Sequence, residues 1–223
     1  MRKVYYNLMP KLSISIPLLA LSLLAAMPGT TQQPDSLKTA SLQSHEAMTI
    51  SAVPWMDPAL YKAKFPKKSP FTAGILAVMV VFRNDSDESV KLGLDRIRLS
   101  LQLDEENRQQ IAPLTADQVA YGTLAPTRKD PTSKRKTFPF PTGPPKSSPD
   151  KNWFEIQKQA ENAGVPTSVV APHSTVQGLL YFDLQGQFDL LSTAHLYVPD
   201  LMVMEKNRSL TFFEIDLSRP GSN

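Results

Sequence analysis

Few residues in this chain have the types and spacing that catalysis requires. It contains three histidines and no cysteine. His45, His173 and His195 lie far apart, and none has the i,i+3 or i,i+4 spacing that places two imidazoles on one helix face around a metal. Without cysteine there is no thiolate metal site, no thiol nucleophile, no disulfide and no lipid attachment at an N-terminal cysteine. No G-x-S-x-G elbow, Walker loop or G-x-G-x-x-G stretch occurs. Asp85, Asp87 and Glu88 share one polar turn and have the oxygen chemistry for Ca²⁺, but Asx-rich turns close on their own backbone without an ion. Asp183, Asp189 and Asp200 fall near predicted strand ends and read as turn formers. A hydrolase could use two carboxylates of this set, yet no spacing selects a pair. No catalytic residue, metal ligand or cofactor is therefore assigned. The expected class is a non-enzymatic binding or assembly module, with a carboxylate-dependent hydrolase of an envelope or extracellular polymer as the alternative.

Two stretches have the composition of contact surfaces. In Trp55 to Phe71, the lysines Lys62, Lys64, Lys67 and Lys68 interleave with Tyr61, Phe65 and Phe71, and Pro58, Pro66 and Pro70 forbid a long helix. One reading is a loop that packs its aromatics inward while the lysines snorkel outward. The other is a basic-aromatic surface for an anionic polymer or lipid headgroup. The second stretch, Pro126 to Pro149, holds seven prolines in 24 residues. It carries Arg128, Lys129, Lys134, Arg135 and Lys136, followed by Phe138 and Phe140 between prolines. No apolar period runs through it, so it is expected to be a disordered insertion, either simply solvated or a docking tract.

Charge is distributed unevenly along the chain. The net charge of +3 comes entirely from Arg2, Lys3 and Lys11, which leaves 21 basic and 21 acidic residues in the rest. A globally basic nucleic-acid binder is thereby disfavoured. Those three cations precede an apolar run from Leu12 to Met27, the layout of a secretory signal over residues 1–30. As a helix that run would reach only ~24 Å, short of the ~30 Å hydrocarbon core, so a membrane anchor is expected only if the signal stays uncleaved. The expected location is periplasmic or extracellular, with another envelope protein or an anionic surface polymer or lipid as partner.

The elements that must carry these stretches read as strands. Ile75 to Phe82 is apolar, uncharged and rich in valine, which suits a strand buried on both faces. Arg83 to Ser89 reads as a hairpin-type connection to Val90–Leu94 and Ile97–Leu103, two alternating runs whose phase breaks at Asp95-Arg96, as at a β-bulge or a bend into a second sheet. Residues 31–47 read as a flexible leader, and Met48 to Val53 as a first, edge strand. Gln109–Pro113, Thr167–Val170, Ser174–Leu184, Ala194–Val198 and Leu210–Leu217 complete a set of about seven strands. Thr115 and Gln118 form a capping-box pattern for a short helix ending near Gly122. Ser148 and Pro149 open a second helix with Trp153, Ile156 and Ala160 on its inner face, stopped by Gly164 and Pro166. Residues 48–223 are thus expected to form a single antiparallel β-sandwich.

One resemblance accompanies these patterns. Val80 to Ser86, an apolar strand running into Asn-x-Ser, resembles immunoglobulin-like or telokin-like domains of bacterial envelope proteins. Gly178 to Asp183 is similar to a late strand of such domains. The resemblance implies an immunoglobulin-like sandwich used for binding or assembly, and no catalytic residues.

Overall fold

The structure, a computed structural model, describes residues 40–103, 107–125 and 151–218. The chain is mainly β. In order it forms β1 (Ser41–His45), β2 (Met48–Pro54), α1 (Pro58–Lys64), β3 (Ile75–Asn84), β4 (Val90–Lys91), β5 (Arg98–Gln102) and β6 (Arg108–Ile111). It continues through α2 (Ala116–Leu124), α3 (Lys151–Ala163), β7 (Val169–Val170), β8 (Ser174–Asp183), β9 (Ala194–Val198), β10 (Met202–Val203), β11 (Arg208–Ser209) and β12 (Phe213–Asp216). Three antiparallel sheets of four strands result, in the orders β1-β2-β3-β8, β11-β10-β4-β7 and β12-β9-β5-β6. The described residues therefore hold twelve strands rather than about seven: β1 lies in the stretch read as a leader, and β10 and β11 are two-residue pairings too short to leave a period in the sequence.

The long pair β3–β8 organises the fold. Ten residues face ten, from Ile75 opposite Asp183 to Asn84 opposite Ser174. Because side chains alternate, the pair serves two cores. Leu76, Val78, Val80 and Phe82 join Leu180 and Phe182 in the larger one, shared with residues of all three sheets. Ile75, Ala77, Leu179 and Tyr181 face the opposite way, into a second core closed by Trp55, Tyr61, Phe65, Val119, Ala120, Ile156 and Ala160. That is why Ile75–Phe82 has no polar alternation: helices cover the face that would otherwise be wet.

Several expectations are corrected. Arg83–Ser89 is not a hairpin. β3 pairs with β2 and β8, while β4 lies in the second sheet and β5 in the third. The phase break at Asp95-Arg96 is a 3-10 turn, Leu94–Arg96, that carries the chain from one sheet to the next. Leu103, expected on the buried face of that run, is 49% exposed beyond the end of β5. The leader reading fails for Ser41–His45, which is β1, so β2 is an inner strand and not an edge. α2 runs past Gly122 to Leu124, and the capping box of Thr115 and Gln118 is formed in both directions. Trp153 packs against the second core, as its spacing predicts. The signal over residues 1–30, the insertion at 126–149 and the Ser148 cap lie outside the described residues.

The polar turn after β3 is held by one side chain. Asn84 is 1% exposed. Its amide nitrogen donates to the carbonyls of Glu88 (2.6 Å), Ala171 (3.2 Å) and Val170 (3.3 Å), and its oxygen accepts from the Ser86 amide and hydroxyl. A buried amide satisfied this fully pins the turn to the strand that precedes β8.

Gly178 shows how tightly the covering elements press on β8. A Cβ there would lie 2.4 Å from the Gly164 carbonyl oxygen and 2.5 Å from the Val165 nitrogen. Gly164 itself bridges to Leu179 at the end of α3. These are backbone atoms that cannot rotate away. Gly178→Ala is expected to lower the urea unfolding free energy by about 3 kcal/mol, the upper end of overpacking costs, because the blocking atoms are backbone. Gly186→Ala meets no neighbour but sits at φ +83° and is expected to cost only about 1–2 kcal/mol. Equal effects at the two positions would contradict the packing argument.

Candidate functional site

The basic-aromatic stretch folds as a short helix and a turn, not as a loop. Asp57 caps α1 by accepting from the Ala59 N–H at 2.8 Å, and Pro58 occupies the first turn, where its missing N–H costs nothing. A second cap, Ser69, accepts from the Phe71 N–H and opens the 3-10 turn Pro70–Ala73. Tyr61 and Phe65 are 0% and 1% exposed, whereas Lys62, Lys64, Lys67 and Lys68 are all exposed. The aromatics therefore anchor the segment, and the lysines are what it presents.

Tyr61 is the principal anchor. β2 accompanies β3 only as far as Pro54 opposite Val78, and the Trp55 N–H then donates to the Ala77 carbonyl. Beyond that point the Tyr61 hydroxyl takes the place of a neighbouring strand. It accepts from the Ala77 N–H at 2.7 Å and reaches the Ile75 carbonyl at 3.5 Å. Burial pushes the pKa of this phenol up, and burial does the same to Tyr181, whose neighbour Tyr61 adds to the effect. Both phenols stay protonated and structural. Tyr181 donates to the Ala160 carbonyl at 3.4 Å.

Outside this anchor lies a groove of about 630 Å³ between α1, the 3-10 turn and the end of α2. Lys62, Lys67 and Lys68 line it together with Ser69, Thr72 and Thr123, and among the described residues no carboxylate does. Lys64 is exposed elsewhere. Lys67 also reaches Glu155 of α3 at 2.7 Å, an exposed pair that contributes under about 1 kcal/mol. Ala125, the residue before the proline-rich tract, is part of its lining. Arg128, Lys129, Lys134, Arg135, Lys136, Phe138 and Phe140 lie outside the described residues.

A second groove of about 500 Å³ adjoins the first and shares Thr72, Thr123 and Ala125 with it. Its distinctive residues are Tyr121, Gln118, Asp183 and Gln185. Gly74 and Gly186, also in its lining, come so close that a Cβ on Gly74 would lie 2.4 Å from the Gly186 nitrogen. Nothing in the sequence drew these residues together, since Tyr121 read only as the last turn of a helix and Asp183 only as a turn former.

The remaining polar residues have structural duties. Asp85 pairs with Arg83, Asp87 with the His173 ring at 2.8 Å and Glu88 with Lys206, so the three carboxylates of that turn face separate partners. Among the described residues no group of three or more His, Asp or Glu side chains could hold a metal. No helix among them is long and apolar enough to cross a membrane. Glu205 is held below the usual carboxylate range by the Ser89 backbone N–H.

No family model matches the chain, and no curated protein matches it. Among solved structures, a functionally unknown protein from Listeria monocytogenes EGD-e is similar over 80% of this chain and 82% of its own. The TM-score is 0.37 and the identity 11%.

Glu46 gives a pH test of the fold around β1. Its carboxylate accepts from the Thr211 N–H at 2.9 Å and from Arg208, and these bonds lower its pKa from 4.5 to about 2. A folded-state pKa below the unfolded one stabilises the fold above about pH 4.5, and the contribution is lost as pH falls toward 2. Glu46→Gln should therefore melt at a lower temperature than the wild type at pH 6. The gap should narrow below pH 4.5 and close near pH 2. A gap independent of pH would show that the charge does not matter.

Proposed function

We propose that this chain is an exported, non-enzymatic binding module of the bacterial cell envelope, related to the immunoglobulin-like or telokin-like sandwiches, that holds an anionic surface component in its basic groove. The observation that carries the reading is the lining of that groove: three exposed lysines, of which Lys67 also pairs with Glu155, with three hydroxyl side chains and, among the described residues, no carboxylate. A concave site of this volume lies within the range of ligand-binding clefts. Converging positive charge in a concavity focuses the field on an incoming anion. Export is supported by the basic residues and apolar run at the start of the sequence, and the sandwich relationship by the shared core of the three sheets.

A carboxylate-dependent hydrolase would need two carboxylates facing one cavity, one of them with a raised pKa. Among the described residues the first groove is lined by none and the second by Asp183 alone. Glu46 and Glu205 are both held low, the opposite of a general acid. These features favour binding over hydrolysis.

The test is sedimentation with anionic vesicles and with soluble polyanions at low salt. The wild type is expected to bind and to release as salt approaches about 0.5 M, where screening shortens the field to a few ångström. The triple variant Lys62→Gln, Lys67→Gln, Lys68→Gln should bind at least about tenfold more weakly, since each exposed charge facing an anion contributes a few tenths of a kcal/mol or more. No binding by the wild type, or equal binding by the variant, would overturn the reading.

A further inference from the structure

The two grooves differ in chemistry and meet at Thr72, Thr123 and Ala125. The first offers lysines. The second offers Tyr121, 72% exposed on the last turns of α2, with the amide of Gln118 and the carboxylate of Asp183. Asp183 is pre-positioned, because its Oδ1 accepts from the Gln185 N–H at 2.9 Å. An open aromatic face beside an amide and a carboxylate matches the two sides of a sugar ring: the C–H face packs on the aromatic, and the hydroxyls donate to the Asp183 carboxylate and accept from the Gln118 amide N–H, its oxygen being held by the Thr115 N–H. Asp183 also repels anions at its own end, so negative charge is accepted only at the lysine end.

We infer that the two grooves form one cleft for a glycan in which charged and uncharged sugars alternate, with the anionic group at Lys62, Lys67 and Lys68 and the neighbouring uncharged sugar on Tyr121 beside Gln118 and Asp183. The inference deepens the binding function proposed above and rests on it. A chain one sugar wide enters a continuous cleft, whereas a flat headgroup plane rests on its rims. Polyphosphate and other uniformly charged polymers satisfy the lysines and meet Asp183 with like charge.

The experiment measures binding of three probes by isothermal titration: short hyaluronan oligosaccharides, which alternate a uronate with a neutral N-acetyl sugar; inorganic polyphosphate, which carries charge alone; and vesicles containing phosphatidylglycerol. Tyr121→Ala should weaken hyaluronan binding about tenfold, the size of one aromatic contact, and leave polyphosphate unchanged. Asp183→Asn should weaken hyaluronan and strengthen polyphosphate. The triple lysine variant should weaken both. Tyr121 is exposed enough for its loss not to disturb folding, and unchanged thermal melting verifies this. If hyaluronan binding is absent, or is insensitive to both Tyr121→Ala and Asp183→Asn while the lysine variant still loses polyphosphate or vesicles, the continuous cleft is wrong and the basic groove stands alone. If the lysine variant loses nothing, the groove itself is wrong.

Discussion

The fold depends on a strand pair that is buried on both faces over about half its length. Over Ile75–Val78 and Gly178–Phe182 both sides of β3 and β8 are buried, so every residue there must be apolar or a glycine. A slip of one residue between them would exchange the two cores, pushing Phe82 and Phe182 toward the helices and Tyr181 toward the sheets. The ten-residue register is thus specified from both sides at once. The sheets supply one cover and the helices the other, and neither core can form without the pair between them.

Two-sided burial creates a polar problem at the margins of the pair, and its solution positions the site. Where β2 leaves β3, the hydroxyl of Tyr61 takes over the exposed backbone groups and draws α1 into place. On the far side of β8 the Leu114 N–H donates to the Tyr181 carbonyl at 2.7 Å, and Gly164 bridges to Leu179. The first of these contacts leads directly into α2, and the second ends α3. Because an unpaired backbone group in a core costs about 1–3 kcal/mol, these contacts fix where the helices begin and end. The grooves are the space left between helices placed for this reason.

The first and third sheets meet through side chains instead of a backbone ladder. Gln43 accepts from the Glu214 N–H at 2.7 Å, His45 stacks on Phe213 with centroids 3.7 Å apart, and Glu46 accepts from the Thr211 N–H. This explains why β1 is polar in sequence yet ordered: its side chains perform the bonding that a strand backbone would otherwise perform. The chain turns from β1 to β2 through Glu46 and Ala47, both with positive φ. The conformation is unfavourable for such residues, and the bonds to Glu46 help to hold it.

Much of the architecture was legible in the residues alone. The apolar run of β3, the alternation of β8, β9 and β12, the capping box of α2 and the inner face of α3 all follow from period and capping, which are local. The outward lysines and inward aromatics of Tyr61 to Lys68 follow from the cost of burying an ammonium group. What the sequence could not show is long-range. β1 lacks an apolar period because its side chains face β12, where Gln43 accepts from the Glu214 backbone N–H and His45 stacks on Phe213. The strands after β3 read as a hairpin because turn chemistry is the same whether the chain returns to its own sheet or crosses to another. Lys62 and Thr123 stand 61 positions apart in the chain, and Tyr121 and Asp183 stand 62 apart. Only the packing of both helices on the β3–β8 pair brings each of these pairs into a common groove, because periodicity records which face of an element is buried and not which other element covers it.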